Sequence, residues 1–488
     1  MVCDEDAQDP RTGAGRPAGL LVRGAGAALP AARRQAAAAG RRGALPTGTG
    51  LPPDRALAAA LAVGRTTVVE AYEVLRREGR IERRQGSGTR VAAAVPVPSA
   101  GAEDTTNPSF LQLLDPPAGT IVLSCAAPER PPPEVALAYA SIHLDEGLGL
   151  GYRPAGLPRL REALAERYRA AGVPTSPSQI LVTTGGQQAL SLLTELLVAP
   201  GDDVLVEAPT YSGALDLFRK AGAVLRPVAR GSAELDVGEA VRVMEERRPS
   251  LAYVVANHHN PTGAVLAPLA ARRLVEAAEA AGVPLIDDGV TADLALHDRP
   301  VPRPLAGYGE VISVGSLSKV VWGGMRVGWL RAREELVTRL ARLKAVHDLG
   351  SDVPSQLAAV RILDDYEAVR ARRAKELSAR HDLLRAELAR TLPSWDFPPV
   401  EGGQTLWVRL PRGDAAAFAQ VAIRHGVALL PGGAIDASGG GSDHLRLPFT
   451  GTPERIQESV RRLAEAWKAY DASPRPSSGS VALSAVVV

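Results

Sequence analysis

Val311-Ile312-Ser313-Val314-Gly315-Ser316-Leu317-Ser318-Lys319, running on into Val320-Val321-Trp322-Gly323-Gly324-Met325-Arg326, is the stretch that decides the fold. A short β-branched run closed by glycine reads as a buried strand. The lysine that follows is one of five in the chain and is flanked by serines and apolar residues. A lysine drawn out of water has a lowered pKa and can form a Schiff base with a carbonyl compound. The alternative is a lysine that snorkels to the surface, and the neighbouring sequence has to choose between them.

Working back from it, Ile180-Leu181-Val182, Val204-Leu205-Val206, Leu251 to Val255 and Pro284-Leu285-Ile286 are further buried-strand runs between helical stretches. Such alternation predicts an α/β domain, here over residues 119–470. In open α/β sheets ligands gather at the carboxyl ends of the strands, and the chemistry-bearing residues follow these runs. After Val182 stands Thr183-Thr184-Gly185-Gly186-Gln187-Gln188, then a helix from Ala189 to Val198, a start whose free N–H groups suit a phosphate. After Val206 comes Glu207-Ala208-Pro209-Thr210-Tyr211, which brings an aromatic ring beside that loop, or a core tyrosine. The third strand runs into Asn257-His258-His259-Asn260-Pro261-Thr262-Gly263, and the fourth into Asp287-Asp288. Two adjacent carboxylates at a buried strand end are costly unless each finds a cationic partner.

The chain has 488 residues, 45% hydrophobic and 23% charged, enough for about three folding units or one large domain with an appendage. Two cysteines, Cys3 and Cys125, exclude a disulfide framework and a four-cysteine zinc site and fit a reducing cytoplasm. No run approaches the ~18 apolar residues of a membrane span, and the acidic start Asp4-Glu5-Asp6 is unlike a secretory signal. Residues 1–92 hold 15 Arg against 9 acidic residues, whereas the rest is slightly acidic. A basic head on an acidic body suits a polyanion; a solvated arginine-rich face is the plainer alternative.

Composition divides the chain further. Residues 1–27 read as disordered, 28–92 as small helices and a hairpin, 93–118 as a Pro-rich linker, and 471–488 as a flexible tail. Leu57 to Leu61 predicts a short helix, Ala62-Val63-Gly64 a turn, and Arg65 to Arg77 a second helix with Val68, Tyr72 and Leu75 on one face, ended by Gly79. Arg65, Thr66 and Thr67 in its first turn could reach bases or phosphates in a major groove. Ile81 to Arg84 and Thr89-Arg90-Val91 then flank the tip Gln85-Gly86-Ser87-Gly88 as a basic hairpin.

Helix, turn, helix and hairpin, with Leu51 to Ala58 including Arg55, Arg65-Thr66-Thr67-Val68, Ala71-Tyr72 and Gly86-Ser87-Gly88-Thr89, resemble the winged helix-turn-helix head of the GntR family of bacterial regulators. This head departs from that family at its beginning, where residues 28–43 offer Ala, Arg, Gly and Pro30 in place of a bulky apolar first helix. In the body, the order of glycines, Tyr211, Asn-Pro-Thr-Gly, aspartate, Ser-x-Ser-Lys and Arg326, with the late strand Leu445-Arg446-Leu447, resembles the fold-type-I pyridoxal-phosphate aminotransferases. That likeness implies a large α/β domain with a small C-terminal α+β domain. The two parts together resemble the MocR group of regulators.

The resemblance implies roles. Lys319 would carry pyridoxal 5'-phosphate as a Schiff base, and Asp288, preferred over Asp287, would keep the pyridine nitrogen protonated. Asn260 would bond the ring hydroxyl and Tyr211 stack on the ring. Gly186, Gln187, Ser316 and Arg326 would hold the phosphate, joined across a homodimer interface by Tyr152. Arg446 would grip the α-carboxylate of an amino-acid substrate or effector. Where the family places a tyrosine after the aspartate, this chain has Asp288-Gly289-Val290-Thr291, leaving Thr291 or a water to substitute. The expected function is a cytoplasmic regulator that binds double-stranded operator DNA and senses an amino acid or amine. A working aminotransferase with a degenerate head, and a DNA-binding protein with an inert dimerisation body, are the alternatives.

Overall fold

The computed structural model describes residues 50–51, 53–55, 65–77, 81–84, 88–91, 119–144, 148–230 and 234–471. The expectations for residues 1–27 and 28–43, the helix Leu57 to Leu61 and its turn, Gly79, the hairpin tip with Gly86, the linker 93–118 and the tail beyond Asp471 lie outside them. The chain divides into two compact units, Met1–Thr105 and Thr106–Val488.

In the first unit, β1 (Gly50–Leu51) precedes α1 (Arg65–Arg77), β2 (Ile81–Arg84) and β3 (Gly88–Val91). The hairpin pairs Ile81 with Val91 and Arg84 with Gly88. β1 adds to the outer side of β3, antiparallel, with Leu51 opposite Thr89. α1 spans the residues its periodicity indicates and buries Val68 and Tyr72 against Ile81, with Leu51 and Leu75 packed around them.

The second unit opens with β4 (Ile121–Val122), α2 (Pro133–Ala140) and α3 (Pro158–Ala170). There follow β5 (Ile180–Thr183), α4 (Gly186–Leu197), β6 (Asp203–Ala208), α5 (Ser212–Lys220), β7 (Val224–Ala229) and α6 (Val237–Arg247). Next come β8 (Leu251–Val254), α7 (Pro268–Ala281), β9 (Leu285–Asp288), β10 (Ile312–Ser316) and β11 (Gly328–Arg331). The chain then forms α8 (Glu334–Asp348), α9 (Val353–Asp364), α10 (Tyr366–Thr391), β12 (Thr405–Arg409) and α11 (Ala415–Arg424). It ends with β13 (Val427–Ala428), β14 (Leu430–Pro431), β15 (His444–Pro448) and α12 (Pro453–Asp471).

Seven strands form one sheet in the order β5-β11-β10-β9-β8-β6-β7, parallel except for β11. Strands β5, β8, β9 and β10 are buried along their whole length, which is why they read as continuous apolar runs. Pleating sends alternate side chains to two cores. Leu205, Ala252, Val254 and Leu285 meet α6 and α7, while Val204, Leu251, Tyr253 and Ile286 meet α4, α5 and α8. β7 and β11 are not among the strands the sequence predicts. β7 is half-exposed, with Arg226 and Pro227 breaking any apolar run, and β11 is hidden behind the glycines that precede it.

The smaller C-terminal part packs the antiparallel sheet β12-β15-β14 against α10, α11 and α12, and β13 pairs in parallel with β4. Caps place the helices. Asp236, Asp352 and Asp414 each accept the backbone N–H three residues on, opening α6, α9 and α11. α7 begins at Pro268 and stops at Gly282, whose φ of 67° suits a residue without a Cβ.

Candidate functional site

The carboxyl ends of β5, β6, β8, β9 and β10 and the C-terminal sheet enclose a cavity of about 510 Å³. Lys319 stands on a wide π-type turn, Ser318–Trp322, directly after β10. Its ammonium donates to the Ala126 carbonyl at 2.6 Å, and burial lowers its pKa. Gln404 Nε2 holds the Lys319 carbonyl at 3.2 Å and fixes the turn. The lysine therefore lines a cavity rather than the surface.

Asp288 ends β9 and lines the same cavity. One oxygen accepts the Tyr253 hydroxyl at 2.7 Å and the other the Val290 N–H at 3.2 Å. Asp287, one residue earlier on the opposite face, accepts the Ala256 N–H at 3.2 Å and is absent from the cavity wall. The hydrogen bonds to both carboxylates come from neutral O–H and N–H donors, and only Asp288 has a cation, Lys319, that favours its ionised form. Burial consequently raises both pKa values, that of Asp287 to about 7.

Residues from three other strand ends complete the floor. α4 starts at Gly186, three residues before the expected Ala189, because the backbone turns at Gly185, where φ is 131°. A Cβ on Gly185 would lie 3.1 Å from Arg326 Nη2, so the open N-terminus of α4 and the Arg326 guanidinium meet at one place. Unpaired N–H groups, a helix dipole and a guanidinium make an anion cradle. Ser316 Oγ, below it, donates to the Val327 carbonyl and accepts the Ser318 N–H, each at 3.1 Å. Tyr211 donates to Gln187 Oε1 at 2.9 Å, and Gln187 Nε2 reaches the Gly213 carbonyl at 3.1 Å, which ties α4 to α5. Burial raises the Tyr211 pKa, so its hydroxyl stays a donor.

Arg446, on β15, closes the cavity from the C-terminal part. It donates to the Ser124 carbonyl and, at 3.4 Å, to Asn260 Oδ1, while burial pushes its pKa down to about 10. Its Nε, with Ser124 Oγ and Gln404 Oε1, is buried without a hydrogen-bond partner. Each such group costs about 1–3 kcal/mol, so this corner is polar and unsatisfied, as a ligand-binding corner is. Thr291 also lines the cavity, and its hydroxyl leans on the Asn257 carbonyl at 3.4 Å.

Sequence reasoning misses two features. Tyr253 reads there only as part of a strand, although its register on β8 aims it at Asp288. Glu207, Arg230 and His259 form a fully buried network at the ends of β6, β7 and β8. Glu207 accepts Arg230 Nε at 2.8 Å and the Val255 N–H at 2.7 Å, with His259 Nε2 3.3 Å away. The Arg230 and His259 contacts keep Glu207 below the usual carboxylate range despite burial, and burial holds His259 neutral. A charged residue inside an apolar strand run was the available signal. Away from the cavity, Asp382 accepts from His297 Nε2 at 3.0 Å and His381 Nδ1 at 2.9 Å. The Val400 N–H faces His381 Nε2 at 3.5 Å, which leaves the proton on Nδ1 and assigns this cluster to hydrogen bonding.

Tyr152, 65% exposed, lies outside the cavity wall of this single chain. In the head, Arg55, Arg65 and Thr66 are exposed, Thr67 lies in the first turn of α1, and Gly88 opens β3.

Residues 122–463 match the aminotransferase class I and II family, and residues 41–91 match the gntR family of bacterial regulatory proteins. The chain is 33% identical to the 2-aminoadipate transaminase of Thermus thermophilus, over 70% of this chain and 88% of that one. It is 31% identical to the probable rhizopine catabolism regulatory protein MocR of Rhizobium meliloti, over 72% of this chain and 75% of the relative. Its fold matches the crystal structure of LysN, the alpha-aminoadipate aminotransferase of Thermus thermophilus, complexed with N-(5'-phosphopyridoxyl)-L-leucine. The TM-score is 0.66 at 29% identity, over 75% of this chain and 95% of that one.

Proposed function

The chain belongs to the aminotransferase class I and II family, and from that membership together with its gntR-matching head we propose that it is a MocR-type transcriptional regulator. It binds DNA through the head and takes pyridoxal phosphate and an amino-containing effector in the body. The observation that carries this reading is the convergence of Lys319, Asp288, Arg326 and Arg446 on one cavity in a chain that also carries a regulator-type head.

The residues present fit the cofactor. The glycine turn and Arg326 offer an anion cradle for its phosphate, with Ser316 beside them, and Tyr211 and Asn260 border the space for its ring. When bound, pyridoxal phosphate supplies an electron sink for negative charge developing at the carbon bearing the amino group. Lys319, whose pKa burial lowers, would provide the nucleophile that attaches the cofactor and the base that moves a proton at that carbon. Asp288, steadied by Tyr253 and Val290, holds the proton on the pyridine nitrogen. Arg446 binds the ligand's carboxylate through its guanidinium fork. Arg55, Arg65, Thr66, Thr67, Gly86 and Gly88 contact operator DNA. Tyr152 completes the phosphate site of the partner in a homodimer, and the protein works in the cytoplasm. None of the described helices is long and apolar enough to cross a membrane.

Transaminase activity is the second reading, favoured by the complete lysine, aspartate and arginine set. Two measurements separate the readings. The cofactor-loaded protein should bind a duplex selected from a random pool with an affinity that falls steeply with salt. Arg65→Ala should weaken that binding about 10-fold, whereas equal binding by the variant would remove the head from the account. Sustained conversion of amino donor and keto acid at roughly 1 s⁻¹ or faster, without selective DNA binding, would establish the enzyme instead.

A further inference from the structure

The segment Ser124–Ala127 is a thin wall between two cavities. On one side lies the site just described; on the other lies a cavity of about 260 Å³ lined by Leu384, Leu447, Ile456 and Leu463, with Ser459 among them. Cys125 and Ala127 border both. The carbonyl of Ser124 takes a hydrogen bond from Arg446, and the carbonyl of Ala126 takes one from Lys319. The wall thus occupies the two cations that the proposed ligand and cofactor need. It does so imperfectly, because Ser124 Oγ, Gln404 Oε1 and Arg446 Nε are left without partners around it.

We propose that Ser124–Ala127 is an internal occupant of the ligand site. An α-amino carboxylate that takes over Arg446 releases the Ser124 carbonyl and swings the segment into the cavity behind it, whose wall is mostly apolar but also carries the Arg455–Glu129 ion pair. This rests on the function proposed above. A carboxylate outcompetes a neutral carbonyl for a guanidinium because both partners then carry charge. The motion is local. Upstream, Ile121 and Leu123 are fastened by N–H bonds of 2.9 and 2.8 Å to the carbonyls of Gly426 and Ala428. Downstream, Pro128 and Pro131-Pro132-Pro133 stiffen the entry to α2. Between these anchors the side chains are only Ser, Cys, Ala and Ala, small enough to enter the rear cavity. In sequence this is the part of the cavity wall nearest to the head.

The test is hydrogen exchange of the cofactor-loaded wild type, with and without whichever standard amino acid changes its visible spectrum most. Release of the Ser124 carbonyl should speed exchange at residues 124–127 about threefold or more, while Ile121 and Leu123 keep their protection. Simple covering by a bound molecule would slow it. A spectral change with flat or slowed exchange overturns the proposal and leaves the functional reading standing; no spectral change with any standard amino acid overturns both. Ser459→Leu, which fills the rear cavity, should keep the cofactor band and need about 10-fold more of the same amino acid for half the spectral change. A wild-type titration in that variant would also overturn it, and the exchange measurement decides the matter if the variant does not fold.

Discussion

Asp287 and Asp288 are neighbours at the end of β9, yet pleating turns one toward the cavity and the other toward the backbone of the β8 loop. Burial lifts Asp287 to about 7. An acid whose folded pKa exceeds its unfolded one holds its proton in the fold while the unfolded chain has lost it. Stability therefore falls as pH rises from about 4 to about 7 and levels off above. Asp287→Asn should raise stability at pH 8 and change it little at pH 4, with a difference on the order of a few kcal/mol; an equal change at both pH values contradicts this. Tyr253 is the other residue with a visible consequence. Tyr253→Phe removes the 2.7 Å bond to Asp288 and should cost about 1–2 kcal/mol. Asp288 becomes harder to ionise without that donor, so the pH dependence of the cofactor band should move upward. An unmoved pH profile would make Tyr253 structural only.

At the scale of elements, what could be read in the sequence was what one strand or helix decides alone. The runs before Thr183, Glu207, Asn257, Asp287 and Gly315 gave five strands of the central sheet, because full burial leaves no polar alternation to confuse them. Val68 and Tyr72 fixed α1 for the reason that they do meet Ile81. β7 and β11 were missed because the pairing that makes them strands is contributed by β6, β10 and β5. In the site, Lys319, Asp288 and Arg446 were legible as motif residues, and their meeting in one cavity is a property of the fold. The role of Tyr253 and the buried Glu207–Arg230–His259 network was not legible, since both depend on which residues face each other across strands. For α1 the prediction is separable from the body. Tyr72→Ala should cost the head about 3 kcal/mol or more and abolish DNA binding. The cofactor spectrum, which belongs to the second unit, should stay as in wild type; a lost spectrum would show that the units do not fold separately.

The whole chain joins a basic head to a nearly neutral, slightly acidic body, with a formal net charge of only +2. Long-range attraction to a polyanion is therefore a property of the first unit, and the proposed cofactor and effector site a property of the second. The sensing half of the proposed function depends on Lys319 carrying pyridoxal phosphate in the cavity that Arg446 also lines. The direct measurement is the visible absorption spectrum of purified wild type and Lys319→Ala with added pyridoxal phosphate, before and after amino acids. The expected result is a band in wild type that amino acids shift and that the variant lacks. An identical spectrum for the two proteins, unchanged by every amino acid, would contradict it.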